Sequence, residues 1–274
     1  MPGGVRGLLR PDDPALRLSP PVLVVVAHPD DEVVGAGALI SRLADVWILH
    51  ATDGAPRDPR FMARGFEGTR EEYARARRRE LEDALALVGI GPDRLLGLEI
   101  ADQEAVFEIP RLTEGIARAV REIGPGTVLT LAYEGGHPDH DAVALAVRQA
   151  ARGIEVLEMP LYHAEPGTEA MTVNEFLPGP PETRLVLTDA ERELKRRMIA
   201  AFATQAETLR PFLPPRDERF RPAPPCDFTR PPHEGRLQYE IWEFPIDGKQ
   251  WREIAKSHRL LAPSLHGSPH DVGC

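Results

Sequence analysis

The chain has 274 residues, an ordinary hydrophobic content of 42% and a formal net charge of -10. That acidity argues against nucleic acid or an anionic membrane surface as the main partner, and no stretch approaches the roughly 20 apolar residues that a membrane span needs. The start, Met1-Pro2-Gly3-Gly4-Val5-Arg6, lacks a signal-peptide pattern, and two cysteines are too few for a disulfide framework, so a cytoplasmic protein, alone or as a homo-oligomer, is expected.

Residues 1–20 are rich in Pro, Gly and charge and are expected to drape over the surface. An apolar strand follows at 22–27, then a helix at 32–43 with acids in its first turn, where the helix dipole favours them. A second strand is expected at 46–51, ending at Thr52-Asp53-Gly54. Residues 55–68 form a long polar loop at the same end of the sheet, and loops of that length are usually functional. Thr69-Arg70-Glu71-Glu72 has the pattern of a capping box and opens a helix to about residue 88, closed by Gly89. A strand at 95–100, a helix at 110–123, a strand at 128–131, a helix at 141–152 and a strand at 154–159 continue the alternation. Such alternation builds βαβ units with right-handed crossovers: a Rossmann-like α/β fold, its mostly parallel sheet covered by helices on both faces.

Residues 163–183 read as a loop, 184–187 as a short strand, and Thr188 as the cap of a helix to about 202. Past residue 210 the texture changes, with eleven of the 28 prolines in residues 211–274. The expected division is a catalytic domain at 1–210, its core starting near residue 20, and a Pro-rich C-terminal extension at 211–274 packed on it. Within the extension, 237–244 reads as a strand, 248–255 as a short helix and 258–274 as a loose tail.

The chemistry is concentrated in two segments. Val22-Leu23-Val24-Val25-Val26 runs directly into Ala27-His28-Pro29-Asp30-Asp31-Glu32, and the strand at 128–131 is followed by His137-Pro138-Asp139-His140. Open α/β sheets bind ligands at the carboxyl ends of their strands. Ionisable groups crowded there repel one another and lose hydration unless a cation sits among them. A catalytic zinc site takes three N and O ligands and keeps a position open. His28 and Asp31 supply two ligands across the strand-to-helix turn, and His140 is placed to supply the third. Asp30, between two ligands, is then free to act as general base on the attacking water. His137 is a second imidazole nearby, and Asp139 is placed to orient it and raise its pKa. One zinc ion per chain is expected, although the same donors accept iron or cobalt. Glu32 reads either as a first-turn helix acid, the ordinary reading, or as a group that bonds a metal ligand from behind, the less favoured one. His50, His163, His233, His258, His266 and His270 read as caps or surface groups.

These motifs resemble the PIG-L/LmbE superfamily of zinc-dependent de-N-acetylases. The resemblance extends to Thr52-Asp53-Gly54, to Arg77-x-x-Glu80-x-x-x-Ala84 with Gly89 behind it, and to Gln205, covering roughly residues 20–210. It implies His28, Asp31 and His140 as zinc ligands, Asp30 as base, and His137 as the group that stabilises the oxyanion or protonates the leaving amine, with Asp139 tuning it. It also implies Arg77, Asp102 and Asp53 as substrate contacts. Glu134-Gly135-Gly136, one step after Tyr133, departs from members that carry a Tyr or Arg there, so a gating Tyr is absent or moved.

The implied reaction is hydrolysis of the N-acetyl group of an N-acetylglucosamine-type or related small-molecule substrate, releasing acetate and a free amine. The alternatives are another metal hydrolase, such as a phosphoesterase, and a catalytically silent sugar-binding homologue. The arginines of residues 57–70 either meet an anionic part of the substrate or pair with neighbouring acids, the second being favoured.

Overall fold

A computed structural model describes residues 18–212 and 215–258. Most of the expected N-terminal surface segment and of the C-terminal tail, with His266 and His270, lie outside the described residues. The elements are β1 (Val22–Val26), α1 (Asp31–Arg42), β2 (Val46–Pro56), α2 (Arg70–Ala86), β3 (Leu95–Asp102), α3 (Ile109–Ile123), β4 (Thr127–Leu131), α4 (Pro138–Ala150), β5 (Glu155–Met159), β6 (Tyr162–Ala164), β7 (Met171–Val173), β8 (Thr183–Val186), α5 (Asp189–Ala200), β9 (Asp217–Pro222), α6 (Gln238–Ile241) and α7 (Gly248–Ser257).

Seven strands form one sheet in the order β3-β2-β1-β4-β5-β9-β8. β3, β2, β1, β4 and β5 pair in parallel, and β9 is antiparallel to both of its neighbours. Two groups of helices enclose the sheet, α1 and α2 with α5, and α3 and α4 with α7. The parallel strands are apolar along their length because both faces are covered; every residue of β1 is at most 1% exposed. From β1 the chain moves through α1 to β2 on one side, and from β4 through α4 to β5 on the other. The connections therefore diverge between β1 and β4, which makes their carboxyl ends the switch point where such sheets bind ligands. No helix among the described residues is long and apolar enough to cross a membrane.

Three expectations are corrected. Residues 237–244 hold the short helix α6, not a strand. Alternating Leu237-Gln238-Tyr239-Glu240-Ile241 imitates a strand period, but Glu240 closes the helix start by accepting the Leu237 N–H at 2.9 Å. The strand after residue 210 is instead β9, which lies inside the main sheet. Residues 163–183 are not wholly loop, because β6 and β7 make a small antiparallel hairpin.

β9 also supports the helix that leads out of the site. α1 is broken at Ala36, where φ is -142° and ψ is 20°. Gly35 lets β5 approach the break, since a Cβ there would lie 2.5 Å from the Met159 sulfur. A restarted helix has amides with no partner in its own first turn. Glu218 of β9 accepts two of them, from Ala38 at 2.8 Å and Leu39 at 2.9 Å. Lys195 of α5 matches the carboxylate at 2.7 Å, and both side chains are essentially fully buried. Removing one member of a buried pair strands the other charge, at a cost of roughly 3–5 kcal/mol. Lys195→Met is therefore expected to destabilise the fold by about that amount in urea denaturation; a loss under about 1 kcal/mol, the scale of a surface pair, would show that Glu218 is held by the amides alone.

Candidate active site

The polar cluster forms where β1 and β4 end. His28, Asp30 and Asp31 leave the end of β1, and Asp102 ends β3. His137 caps α4, with Pro138 in its first turn, a position where the missing N–H of proline costs nothing. The helix thus starts earlier than the expected residue 141, and Asp139 and His140 lie within its first turn. All these groups are buried apart from Asp102, which is partly exposed.

Three residues form a triangle, with a different Asp31 oxygen turned toward each histidine. His28 Nδ1 lies 3.3 Å from His140 Nε2 and 3.4 Å from Asp31 Oδ2, while Asp31 Oδ1 lies 3.3 Å from His140 Nε2. Donors at the vertices of a tetrahedral site with zinc-like bond lengths would stand about 3.4 Å apart. The other Asp31 oxygen contacts are the backbone N–H groups of Ala27 and His28, at 3.1 and 2.8 Å to Oδ2, which fix the carboxylate in place. The far nitrogen of His28, Nε2, faces Asp102 Oδ1 at 3.0 Å and Asp139 Oδ2 at 3.3 Å. An imidazole that ligates a metal commonly hands its other N–H to a carboxylate in this way.

The charges fit a cation as well as the distances do. Burial works against a charged His28, yet Asp102 and Asp31 hold its pKa well above the ordinary value. Burial likewise opposes ionised Asp31 and Asp102, but His140 and His28 hold Asp31 well below its usual range, and His28 holds Asp102 at about 2. Asp102 Oδ1 has no well-formed hydrogen bond despite its burial. In this arrangement a proton on His28 supplies the positive charge the carboxylates require. The donors and the charge therefore suit a divalent ion: His28 and His140 stand together with His137 as one possible donor group, and Asp31 faces both His28 and His140.

Asp30 stands apart from the triangle and is held by its own supports. Its φ is 146°, a strained value for a residue with a side chain. Glu32 accepts its N–H at 3.2 Å and is itself bonded to His50 at 3.0 Å. Glu32 is thus more than a first-turn acid, and His50 is a buried support, contrary to the sequence expectation. His163, also expected to be a cap or surface group, is likewise buried. Arg77 reaches the Asp30 carboxylate at 2.8 Å and the Pro29 carbonyl at 2.5 Å. Burial raises the pKa of Asp30; Arg77 opposes this and Asp31 adds to it, leaving it at about 7. Gly54 is needed beside this pair, because with φ at 66° a Cβ there would lie 2.9 Å from Arg77 Nε. Arg77 borders the cavity, but its contacts make it a support for Asp30.

Two roles change. Asp139 is placed to orient His28, not His137: its Oδ2 is 4.0 Å from His137 Nδ1 but 3.3 Å from His28 Nε2, and it accepts N–H groups of Gln103 and Ala105 at 2.6 and 2.9 Å. His137 Nδ1 accepts the Asp139 N–H at 3.2 Å, so the ring proton belongs on Nε2, which faces Asp102 at 3.7 Å. Burial and the adjacent His28 drive the His137 pKa well below its ordinary value. The expected rise from Asp139 is absent, a direction that favours the neutral ring with its proton on Nε2.

The cluster forms the floor of a cavity of about 470 Å³. Asp53 does not line it; Arg70 binds Asp53 at 2.7 and 2.9 Å. Asp102 does line it, as do Gln103 and Gln205. Tyr133 is turned into the core, donating to the Arg230 carbonyl at 2.9 Å. The tyrosine at the centre is Tyr162, 5.3 Å from His140. Sequence reasoning missed Tyr162, Phe61, Trp242 and Phe244, for which no motif or periodicity is a signal.

A buried cluster of histidines and carboxylates at the switch point of a Rossmann-like sheet is the arrangement of an enzyme of the α/β class. More narrowly, the chain belongs to the PIG-L family: the family profile, described as "GlcNAc-PI de-N-acetylase", matches residues 23–151. Over 192 residues it is 32% identical to a "Probable N-acetyl-alpha-D-glucosaminyl L-malate deacetylase 2" of Bacillus cereus, covering 68% of this chain and 83% of the relative. It is 28% identical over 239 residues to a "1D-myo-inositol 2-acetamido-2-deoxy-alpha-D-glucopyranoside deacetylase" of Thermobifida fusca, covering 67% and 82%. Among solved structures, the A40926 pseudoaglycone deacetylase shares the fold with a TM-score of 0.54 at 23% identity, over 69% of this chain and 83% of that one.

Two measurements check the site. His140→Ala is expected to lose most of its bound metal on dialysis, read by elemental analysis; full occupancy would remove His140 from the ligand set. Arg77 lowers the Asp30 pKa, so Arg77→Gln is expected to move the acidic limb of kcat/KM to higher pH, because the ionised base then appears later. An unmoved limb would mean that Asp30 does not govern it.

Proposed function

We propose that the protein hydrolyses the N-acetyl group of an N-acetylated amino sugar, using one divalent metal ion, zinc by the character of its ligands. The observation that carries this reading is the position of Asp30: a buried carboxylate locked by Arg77 beside the His28, Asp31 and His140 side chains and facing the cavity, with burial raising its pKa. A general base works best with a pKa near the working pH. Simple sugar binding needs no such group.

An ion held by His28, Asp31 and His140 would activate water and polarise the amide carbonyl. Asp30 takes the proton from the attacking water as the new C–O bond forms. His137 Nε2–H donates to the oxygen on which negative charge develops. Asp30, now protonated, returns that proton to the nitrogen as the C–N bond breaks, releasing acetate and the free amine. Asp139, by fixing His28, keeps the ligand imidazole in one tautomer. The phosphoesterase alternative is less well supported, since that chemistry commonly uses two ions. The two candidate donor groups among the described residues, His28/His137/His140 and His28/Asp102/His137/Asp139, overlap at His28 and His137 and so describe one centre.

Acetate release from a panel of N-acetylated amino sugars tests the reading, and release from none would overturn it. Asp30→Asn is expected to keep its metal and lower kcat by about a hundredfold or more. His137→Ala is expected to lower kcat by roughly 10²–10³-fold, as for an oxyanion donor, without moving either limb of the pH profile. A lost or displaced basic limb would mean that His137 works as a protonated acid.

A further inference from the structure

Above the polar floor, the cavity wall changes character. Phe244 packs edge-on against His137, with ring centroids 5.0 Å apart, and against Phe61 at 4.9 Å. Tyr162 stands 5.3 Å from His140, and Trp242 and Phe212 pack on it at 5.3 and 5.5 Å. The aromatic surface therefore begins at the two imidazoles of the reacting centre and climbs to a rim at Trp242, which remains 39% exposed. Leu161, Leu209 and Met171 fill the gaps between the rings.

The wall is assembled from four separate segments, so it is not the incidental flank of one helix. Phe61 comes from the loop after β2, Tyr162 from the β6–β7 hairpin, Phe212 from the end of the segment after α5, and Trp242 and Phe244 from the C-terminal part. The last two are brought to the same wall by a left-handed turn: Glu243, between them, has φ of 56°, and the Phe244 N–H bonds back to Tyr239 O at 3.0 Å. A non-glycine residue in that conformation is strained, and here the strain delivers Phe244 onto His137.

Charge is lacking where an anionic substrate would need it. Among the described residues, Arg77 is the one Arg or Lys side chain lining the cavity, and it is engaged by Asp30 and Pro29. The arginines of the loop after β2 do not line it. Arg57 pairs with Glu104 at 2.7 Å, Arg60 with Asp58 at 2.6 Å and Arg70 with Asp53 at 2.7 Å, while Arg64 is exposed and forms no ion pair among the described residues. Against the aromatic wall, a carboxylate-bearing aglycone, like the malate named for the Bacillus cereus relative, would be desolvated with no unengaged Lys or Arg among the described lining residues to meet it.

Resting on the deacetylase reading above, we propose that the substrate is an amino sugar carrying an uncharged apolar group, aryl or alkyl, seated against the wall of Phe61, Tyr162, Phe212, Trp242 and Phe244. The wall is continuous with the reacting centre, so its occupant is part of the substrate and not a separate ligand. The apolar group can be borne by the glycosidic oxygen or by the acyl carbon, and the two are separable by experiment.

The test uses the metal-loaded wild-type chain. One arm compares the methyl, phenyl and L-malyl glycosides of N-acetylglucosamine; the other compares N-acetyl with N-hexanoyl on the methyl glycoside. A kcat/KM at least about tenfold higher for phenyl over methyl, or for hexanoyl over acetyl, is expected, a gain of the size apolar pockets give, and the malyl glycoside is expected to be the poorest of the glycosides. Trp242→Ala and Phe61→Ala are expected to collapse that preference toward one. Equal values in both arms, a preference for the malyl glycoside, or a preference that survives both substitutions would overturn the proposal while leaving the deacetylase reading standing. Absence of turnover on every substrate would instead sink the deacetylase reading; quenching of tryptophan fluorescence by phenyl glucoside, lost in Trp242→Phe, would then still support the apolar subsite, and no quenching in the wild type would overturn that as well.

Discussion

His28 meets two other imidazoles and three carboxylates inside a protein, and the need to balance that buried charge organises the molecule around it. Its Nδ1 edge looks into the triangle with Asp31 and His140, and its Nε2 edge looks at Asp102 and Asp139. One ring therefore ties the end of β1 to the end of β3 and the first turn of α4. Burial alone would neutralise each of these groups; here they compensate one another instead, and the raised His28 and lowered Asp31 and Asp102 pKa values are that mutual charge pairing. A divalent ion answers the same demand with more charge and fixed geometry. The sheet makes the crowding possible, because the chain leaves β1 and β4 in opposite directions and opens a crevice between them.

A second constraint follows from the first. The general base must sit next to this cluster without joining it. Asp30 is turned away by a strained backbone, and that strain is held from two sides. Glu32 and His50 secure its amide, and Arg77 secures its carboxylate. Arg77 is in turn placed by Glu80 at 3.6 Å and by the ring of Phe202, 5.7 Å away, while Glu80 accepts the Thr204 N–H at 2.8 Å. The spacing of Arg77 and Glu80, which in sequence carries only a resemblance, thus has a mechanical meaning: one helix turn carries both the brace and the anchor of the brace.

The sequence makes the centre readable because its groups are adjacent in the chain or follow apolar runs. His28, Asp30 and Asp31 lie within four residues, and the strand before them is apolar enough to read as buried. The parallel half of the sheet was legible for the same reason. What was not legible depends on distant partners. Asp139 is near His137 in sequence, but Gln103 and Ala105 draw its carboxylate toward His28. Asp53 sits in a motif, yet Arg70 occupies it. β9 was missed because Asp217-Glu218-Arg219-Phe220-Arg221 looks like an exposed charged run. In fact Glu218 is buried against α1 and Lys195, and Arg221 against Glu158. Buried ion pairs disguise a core strand as a surface segment.

The same distinction separates chemistry from selectivity in this chain. The residues proposed as metal ligands, base and oxyanion donor all fall between residues 28 and 140, inside the stretch matched by the family profile. Of the five aromatic rings on the cavity wall, four lie beyond it. The C-terminal part is nevertheless anchored to the reacting segment: Trp251 is buried and donates to the Pro138 carbonyl at 3.0 Å, and the Gln238 N–H bonds to Gly135 O at 2.9 Å. Those two contacts grip the loop and helix start that carry His137 and His140. A wall built by the C-terminal part is thereby registered against the residues that perform the reaction, and can differ between relatives without disturbing them. The proposed metal centre and most of the proposed apolar subsite thus come from different parts of the chain, joined at α4.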